Sequence, residues 1–147
     1  MTRIALIVGS VLGTALDVAE QMRDALVQQG YTVTLDDAPQ RLPFADILLF
    51  CTSTTGRGNV PGALVPLVTL INGGDINVKG RRYGMVALGD SRYPDFCGAG
   101  RYIDSILAEQ GALRIGDVLT LDADSADYPD EVALEWLPQW LAALDAA

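Results

Sequence analysis

The sequence predicts a doubly wound α/β fold, five parallel strands with helices on both faces. Three observations predict it. Short, nearly continuous apolar runs alternate with longer segments whose apolar residues recur every three or four positions. No linker, repeat or low-complexity tract interrupts the alternation. The first run, Arg3 to Val8, is apolar on both faces, as a central parallel strand should be. Half of the 147 residues are apolar, enough for one core in a single domain over 1–147, and a chain of this size buries roughly two-thirds of its unfolded surface.

The helix after the first strand is expected from about Thr14 to Gln29, with Ala15, Val18, Ala19, Met22, Ala25 and Leu26 buried and Gly30 as a left-handed stop. Tyr31 to Asp36 alternates in polarity and reads as a second strand nearer an edge. Ala38 to Pro43 then breaks regular structure. The linker to the next strand is about ten residues, shorter than the dozen or more of a usual parallel crossover, so its helix is expected to shrink to a turn or so. Asp46 to Cys51 is the third strand, and Thr52 to Pro61 is a polar, glycine-bearing loop. Pro61 suits the start of a helix carrying Leu64, Val65, Val68 and Ile71, which Pro66 keeps from settling early and Gly73-Gly74 ends. Tyr83 to Leu88 is the fourth strand, with Gly89 to Cys97 as a further polar loop. A helix burying Tyr102, Ile103, Ile106 and Leu107 follows, with Gly111 past its end. The fifth strand is Asp117 to Leu121. After it the acidic Asp122-Ala123-Asp124 loop leads to a last helix with an apolar face of Ala133, Trp136, Leu137, Trp140, Leu141 and Leu144, in which Pro138 predicts a kink.

Composition removes several function classes. The chain has no histidine, which takes away the commonest general base, the commonest transition-metal ligand and any Ser-His or Cys-His nucleophile. Cys51 and Cys97 form neither a Cys-x-x-Cys pair nor a metal-ligand spacing, and read as two buried thiols. A net charge of −9 disfavours nucleic acid and anionic membranes and favours a basic protein partner. Met1-Thr2-Arg3 leads straight into a strand with no charged leader, and no apolar run reaches the length of a membrane span, so a cytoplasmic protein is expected.

The stretch Ile4 to Ala15 is a buried strand that passes through a glycine-bounded loop into a helix. A helix N-terminus presents unpaired N–H groups and a partial positive charge, and Gly9 and Gly13 let the backbone approach an oxyanion closely. Ser10 and Thr14 add hydroxyls. The spacing is not that of a triphosphate P-loop, which has four residues between its glycines and a following Lys, nor that of the dinucleotide fingerprint Gly-x-Gly-x-x-Gly. A cradle of hydroxyls and amides without a cation suits one terminal phosphate. A tight strand-to-helix turn with no ligand would read the same way.

In a doubly wound sheet ligands sit outside the carboxyl ends of the strands, where strand order reverses. The loops after the first, third and fourth strands are the polar, glycine-bearing ones, so they should converge on one pocket. Their motifs, Gly9-Ser-Val-Leu-Gly-Thr-Ala15, Ser53-Thr-Thr-Gly-Arg-Gly-Asn-Val-Pro61 and Gly89-Asp-Ser-Arg-Tyr-Pro-Asp-Phe-Cys97, resemble the flavodoxin family. The likeness is strongest to small MioC- and YqcA-type members and weaker to the FMN domains of diflavin reductases. It covers essentially the whole chain, and the third motif, close to Gly-Asp-Ser-x-Tyr-x-x-Phe-Cys, is the most diagnostic. The resemblance implies a 2-1-3-4-5 strand order, one non-covalent FMN, a monomer, and electron transfer without substrate turnover.

Carried over by residue, the resemblance implies that Ser10, Val11, Leu12, Gly13, Thr14 and Ala15 hold the FMN phosphate. Ser53, Thr54, Thr55, Gly56, Arg57 and Gly58 would run past one face of the ring and its edge. The run Gly89 to Cys97 would pass the other face, with Gly89, Asp90, Phe96 and Cys97 among its cofactor-binding residues and Tyr93 stacking on the ring. Leu12 and Ala15 stand where the family commonly has Thr, which leaves Ser10, Thr14 and backbone amides to grip. Thr55 stands where many short-chain members have Trp, so one aromatic face is expected.

An electron carrier needs an environment that sets the cost of each flavin charge state more than it needs acids or bases. An acidic protein disfavours the anionic reduced flavin, which lowers the potential. Arg57 and Arg92 oppose this: at roughly 8 Å and an effective dielectric of 20 to 40, each would contribute on the order of 1 to 2 kcal/mol, where roughly 1.4 kcal/mol is about 59 mV for one electron. Gly56 is the residue at which a peptide could flip toward the ring. The expected role is a carrier reduced by a basic-faced flavin reductase that passes electrons to an iron–sulfur or haem enzyme, with Asp90, Asp95, Asp122, Asp124 and Asp127 as an acidic docking rim. The alternatives are an FMN-dependent NAD(P)H reductase acting on a quinone or similar acceptor, and a flavin-free interaction module.

Overall fold

Residues buried on both sides define the middle of the sheet. In the computed structural model, which describes residues 2–147, β1 (Arg3–Gly9) is buried from its second residue on, every residue of β3 (Ile47–Thr52) is buried, and β4 (Arg82–Gly89) is buried between its end residues. Met1, with which the N-terminal tripeptide begins, lies outside the described residues. The strand β2 (Thr32–Asp36) has no fully buried residue and sits at one edge. Two short strands, β5 (Leu113–Arg114) and β6 (Leu119–Asp122), line the other edge. All pairings are parallel, in the order β2-β1-β3-β4-β5, with β6 also on β4. This is the expected 2-1-3-4-5 order with a sixth strand added.

Alternate residues of each central strand feed two cores. Ile4, Leu6 and Val8 pack with α1 (Thr14–Gln28) and α4 (Pro129–Ala146), whereas Ala5 and Ile7 pack with α2 (Val65–Asn72) and α3 (Gly98–Glu109). The two faces are therefore each covered by a pair of helices. No helix among the described residues is long and apolar enough to cross a membrane.

The departures from expectation have local causes. The fifth strand position is split: β5 pairs with the start of β4, at Arg82 and Tyr83, and β6 with its end, from Val86 to Gly89. Between them Ile115 turns into the core, so the polarity pattern of one strand was not there to be read. The link from β2 to β3 contains no helical turn at all. Val65 and Tyr102, expected on buried faces, are exposed, Tyr102 by 50 %. Each stands next to the residues that meet the sheet, Leu64 and Leu67 in one case and Ile103, Ile106 and Leu107 in the other. Trp136 is half-buried and stacks on the buried Trp140 at 5.7 Å between ring centroids. A three-residue 3-10 turn, Gly62–Leu64, precedes α2, in keeping with the delay that Pro66 imposes. α4 runs unbroken through Pro138, which lies on its exposed side, where one backbone N–H is missing. Cys51 and Cys97 are free and buried.

Candidate cofactor site

A cleft of about 770 Å³ opens at the carboxyl end of the sheet, where the order turns from β1 outward to β2 on one side and to β3 on the other. Its size lies within the range of small-molecule sites, roughly 300–1,000 Å³. The three loops expected to converge do so. Ser10, Val11, Leu12 and Thr14 line the cleft after β1, Ser53, Thr54, Thr55, Gly56 and Arg57 after β3, and Gly89, Asp90 and Tyr93 after β4.

The first loop is held open by its own chemistry. Gly13 N–H donates to Ser10 Oγ at 3.0 Å, and Gly13 takes φ +92°, a left-handed conformation that a side chain disfavours. Asp17 N–H closes the first intrahelical bond on the Gly13 carbonyl at 2.9 Å, leaving the amides before it without helical partners. Thr14 lines the cleft at this helix end. Leu12 stands 94 % exposed at the lip.

The second loop is a hairpin. Thr55 and Asn59 exchange backbone bonds of 2.9 and 2.7 Å, and Thr55 Oγ1 also donates to the Asn59 carbonyl at 3.2 Å. Gly56, Arg57 and Gly58 form its tip. At Gly58 φ is +84°, and a Cβ there would stand 2.8 Å from Asp95 Cβ, so this tip touches the third loop where only a glycine fits. Ser53 Oγ donates to the Gly9 carbonyl at 3.2 Å. Thr54 Oγ1 donates to the Leu88 carbonyl at 3.0 Å and accepts the Ala99 N–H at 3.3 Å. Those two hydroxyls bind the loop to β1, β4 and α3.

The third loop carries the aromatic wall and the charge. Tyr93 is 63 % exposed, and its N–H donates to the Asp90 carbonyl at 3.1 Å. Arg92 forks onto the Asp90 carboxylate, with Nε 2.9 Å from Oδ1 and Nη2 2.5 Å from Oδ2, and its Nε lies 3.6 Å from Asp124. Hydrogen bonds from Arg92 hold the Asp90 carboxyl below its ordinary value. Bonds from Ser91, with a further one from the Asp124 backbone, do the same for Asp122. Arg92 does not line the cleft, whereas Arg57 does.

Other expected site residues stand behind the wall. Ala15 and Cys97 have no exposed surface. Cys97 Sγ lies 3.3 Å from the Ala87 carbonyl it donates to, and burial pushes its thiol up to about 11. Cys51 does the same with the Ala15 carbonyl at 3.4 Å, its thiol pushed up to about 12 by burial. Gly13, Gly58 and Phe96 also lie outside the cleft lining. Four lining residues escaped the sequence reading: Leu88, Leu121, Ala123 and Pro129. The last three come from the end of β6, the loop after it and the start of α4, at the same end of the sheet, which the rule for carboxyl-end ligands already pointed to.

The cleft fits a ligand with one phosphate and a flat, largely apolar ring. Hydroxyls and a helix end stand on one side, and Tyr93, Leu88 and Leu121 offer apolar surface on the other. Among the described residues no group of acidic, Cys or His side chains could hold a metal ion. Fold and site together define a mononucleotide-binding protein of the doubly wound class. The chain belongs to the flavodoxin family, whose profile, described as Flavodoxin, matches residues 6–136. It is 38 % identical over 144 residues to Flavodoxin YqcA of Escherichia coli strain K12, covering 95 % of this chain and 97 % of that one. To Protein MioC of the same strain it is 33 % identical over 143 residues, covering 96 % and 97 %. A solved structure of a single-site mutant of the Pseudomonas aeruginosa flavodoxin superposes with a TM-score of 0.85 at 32 % identity, covering 97 % of this chain and 99 % of that one. FMN is accordingly the cofactor and electron transfer the chemistry.

Proposed function

We propose that the chain, as a single domain over 1–147 and a cytoplasmic monomer, carries single electrons from a basic-faced flavin reductase to an iron–sulfur or haem enzyme without substrate turnover of its own. FMN, when bound, supplies one-electron reduction and reoxidation. The chain's residues bind it, tune it and present it. Ser10, Thr14 and the helix-end amides of the 10–15 loop grip the phosphate, with selectivity coming from shape because Leu12 and Ala15 offer no donor. Tyr93 faces the ring on one side. The 53–58 hairpin lies along the other, where no aromatic side chain lines the cleft.

The observation that carries the reading is the openness of the cleft beside an acidic rim. Tyr93 and Leu12 are exposed, and Asp90 and Asp95 line the cleft while Asp122, Asp124 and Asp127 stand in the loop next to it. An electron needs a short path to the surface and a complementary partner face, and an acidic rim on a protein of net charge −9 selects a basic one.

The test is NAD(P)H oxidation by the FMN-loaded protein. No turnover is expected from the protein alone, and reduction is expected once a flavin reductase is added, falling as salt rises. Steady NAD(P)H consumption by the protein alone, with a quinone as acceptor, would replace the carrier by a reductase.

A further inference from the structure

Arg57 and Arg92 look equivalent in the sequence, and the structure separates them. Arg57 lines the cleft and has no ion pair among the described residues. We infer, resting on the proposed FMN site, that Arg92 is a positioning residue: by bridging Asp90 and Asp124 it clamps the 89–97 loop to the 122–128 loop and so sets where the Tyr93 wall stands.

Three ties join these loops. Ala123 N–H donates to the Gly89 carbonyl at 2.8 Å. Ser91 N–H donates to Asp122 Oδ1 at 2.9 Å, and Asp124 N–H donates to the same oxygen at 2.9 Å. The third is Arg92, forked on Asp90 with its Nε also 3.6 Å from Asp124 Oδ1. It is the one tie of the three made by two side chains. The carboxylate it forks onto also makes the turn that places Tyr93, because Asp90 Oδ1 accepts the Arg92 backbone N–H at 3.0 Å while the Asp90 carbonyl accepts the Tyr93 N–H at 3.1 Å. With most of its side chain in solvent, Tyr93 takes its position from that turn. The charged groups facing the guanidinium are Asp90 on its own loop and Asp124 on the neighbouring one, with Asp122 beside them. Two engaged carboxylates leave Arg92 poorly placed to serve an anionic ring as a free counter-charge, and it does not line the cleft.

A planar fork is what this geometry uses, so Lys is not an equivalent replacement. The experiment is a double-mutant cycle of Arg92→Ala and Asp124→Ala with Arg92→Lys alongside, read by FMN dissociation constant and by the visible circular dichroism of the bound flavin. Each single Ala change is expected to weaken FMN about three- to tenfold and to alter the flavin dichroism, the double change to be no worse than the poorer single one, and Lys to recover binding only in part. An Arg92→Ala constant within twofold of wild type, additive effects, or full recovery by Lys would overturn the clamp. Amide exchange in the flavin-free protein gives a readout that does not depend on the cofactor. Ser91 and Ala123 should exchange several-fold faster in Arg92→Ala, and unchanged exchange would also overturn the clamp. A wild-type protein that takes up no FMN would instead sink the proposed function, with the exchange result still deciding the clamp.

Discussion

The wall of the cleft carried by residues 53–61 is closed by backbone pairing, whereas the wall carried by 89–97 is closed by charge. In the first, Thr55 and Asn59 exchange two main-chain bonds around a glycine tip, and Thr54 anchors the strand end through its hydroxyl. In the second, Arg92, Asp90, Asp122 and Asp124 stitch the loop to its neighbour. Main-chain bonds respond little to pH or salt, while exposed ion pairs respond to both. One wall of the cleft thus has a fixed shape, and the other a position that depends on ionisation.

The largest effect is expected where the two walls touch. Gly58→Val forces a left-handed backbone to accept a side chain and drives its Cβ toward Asp95, a loss of about 2–5 kcal/mol in stability, read as a fall of roughly 10 °C in the thermal midpoint together with loss of FMN binding. A midpoint within a degree or two of wild type would mean the walls do not rest on each other. Next is Tyr93→Ala, which removes the proposed stacking face. At about 1–3 kcal/mol for ring stacking, FMN should bind roughly ten- to a hundredfold more weakly, measured by fluorescence titration. An unchanged constant would put the ring elsewhere.

A smaller effect separates the arginines by charge. Arg57→Ala should move the second one-electron couple of the bound flavin negative by about 30–60 mV, the 1–2 kcal/mol of an unscreened charge reduced by exposure. Arg92→Ala should move it less while weakening binding more. Equal potential shifts in both would erase the distinction.

The smallest effect concerns acid. Asp90 has a folded-state value held below its ordinary 3.8 by Arg92, so its contribution is present above the ordinary value and is lost as pH falls through the lowered one. Arg92→Ala lets that value rise, and acid-induced FMN release should begin a few tenths of a pH unit higher than in wild type. Coincident release curves would show that the 89–97 wall does not depend on this pair. A variant in the hairpin, Asn59→Ala, should leave the acid curve where it is, since no titrating group closes that wall.

Much of the fold was legible because it depends on local pattern. The two-faced apolar runs of β1, β3 and β4 could be read without knowing their partners, and so could the glycine-bearing loops that follow them. The split between β5 and β6 was not legible. It depends on which stretch of β4 each half pairs with, and Ile115, which looks like any strand residue, belongs instead to the core beneath the break. Tyr102 misled for a similar reason, since a periodicity of three to four residues leaves the edge of a helical face open by one position.

At the site, the residue types of the first loop pointed to a cradle for one phosphate, because hydroxyls, glycines and a helix start stand within a few residues of one another, whereas the flat ring came from the resemblance of the three loop motifs to the flavodoxin family. The fate of the two arginines lay beyond the sequence. Ser91 meets Asp122 across 31 positions and Arg92 meets Asp124 between the same two loops, contacts that exist only because β4 and β6 run side by side. Leu121, Ala123 and Pro129 joined the cleft by that same pairing. Local chemistry is written along the chain, while the choice of a charge's partner waits on which strands become neighbours.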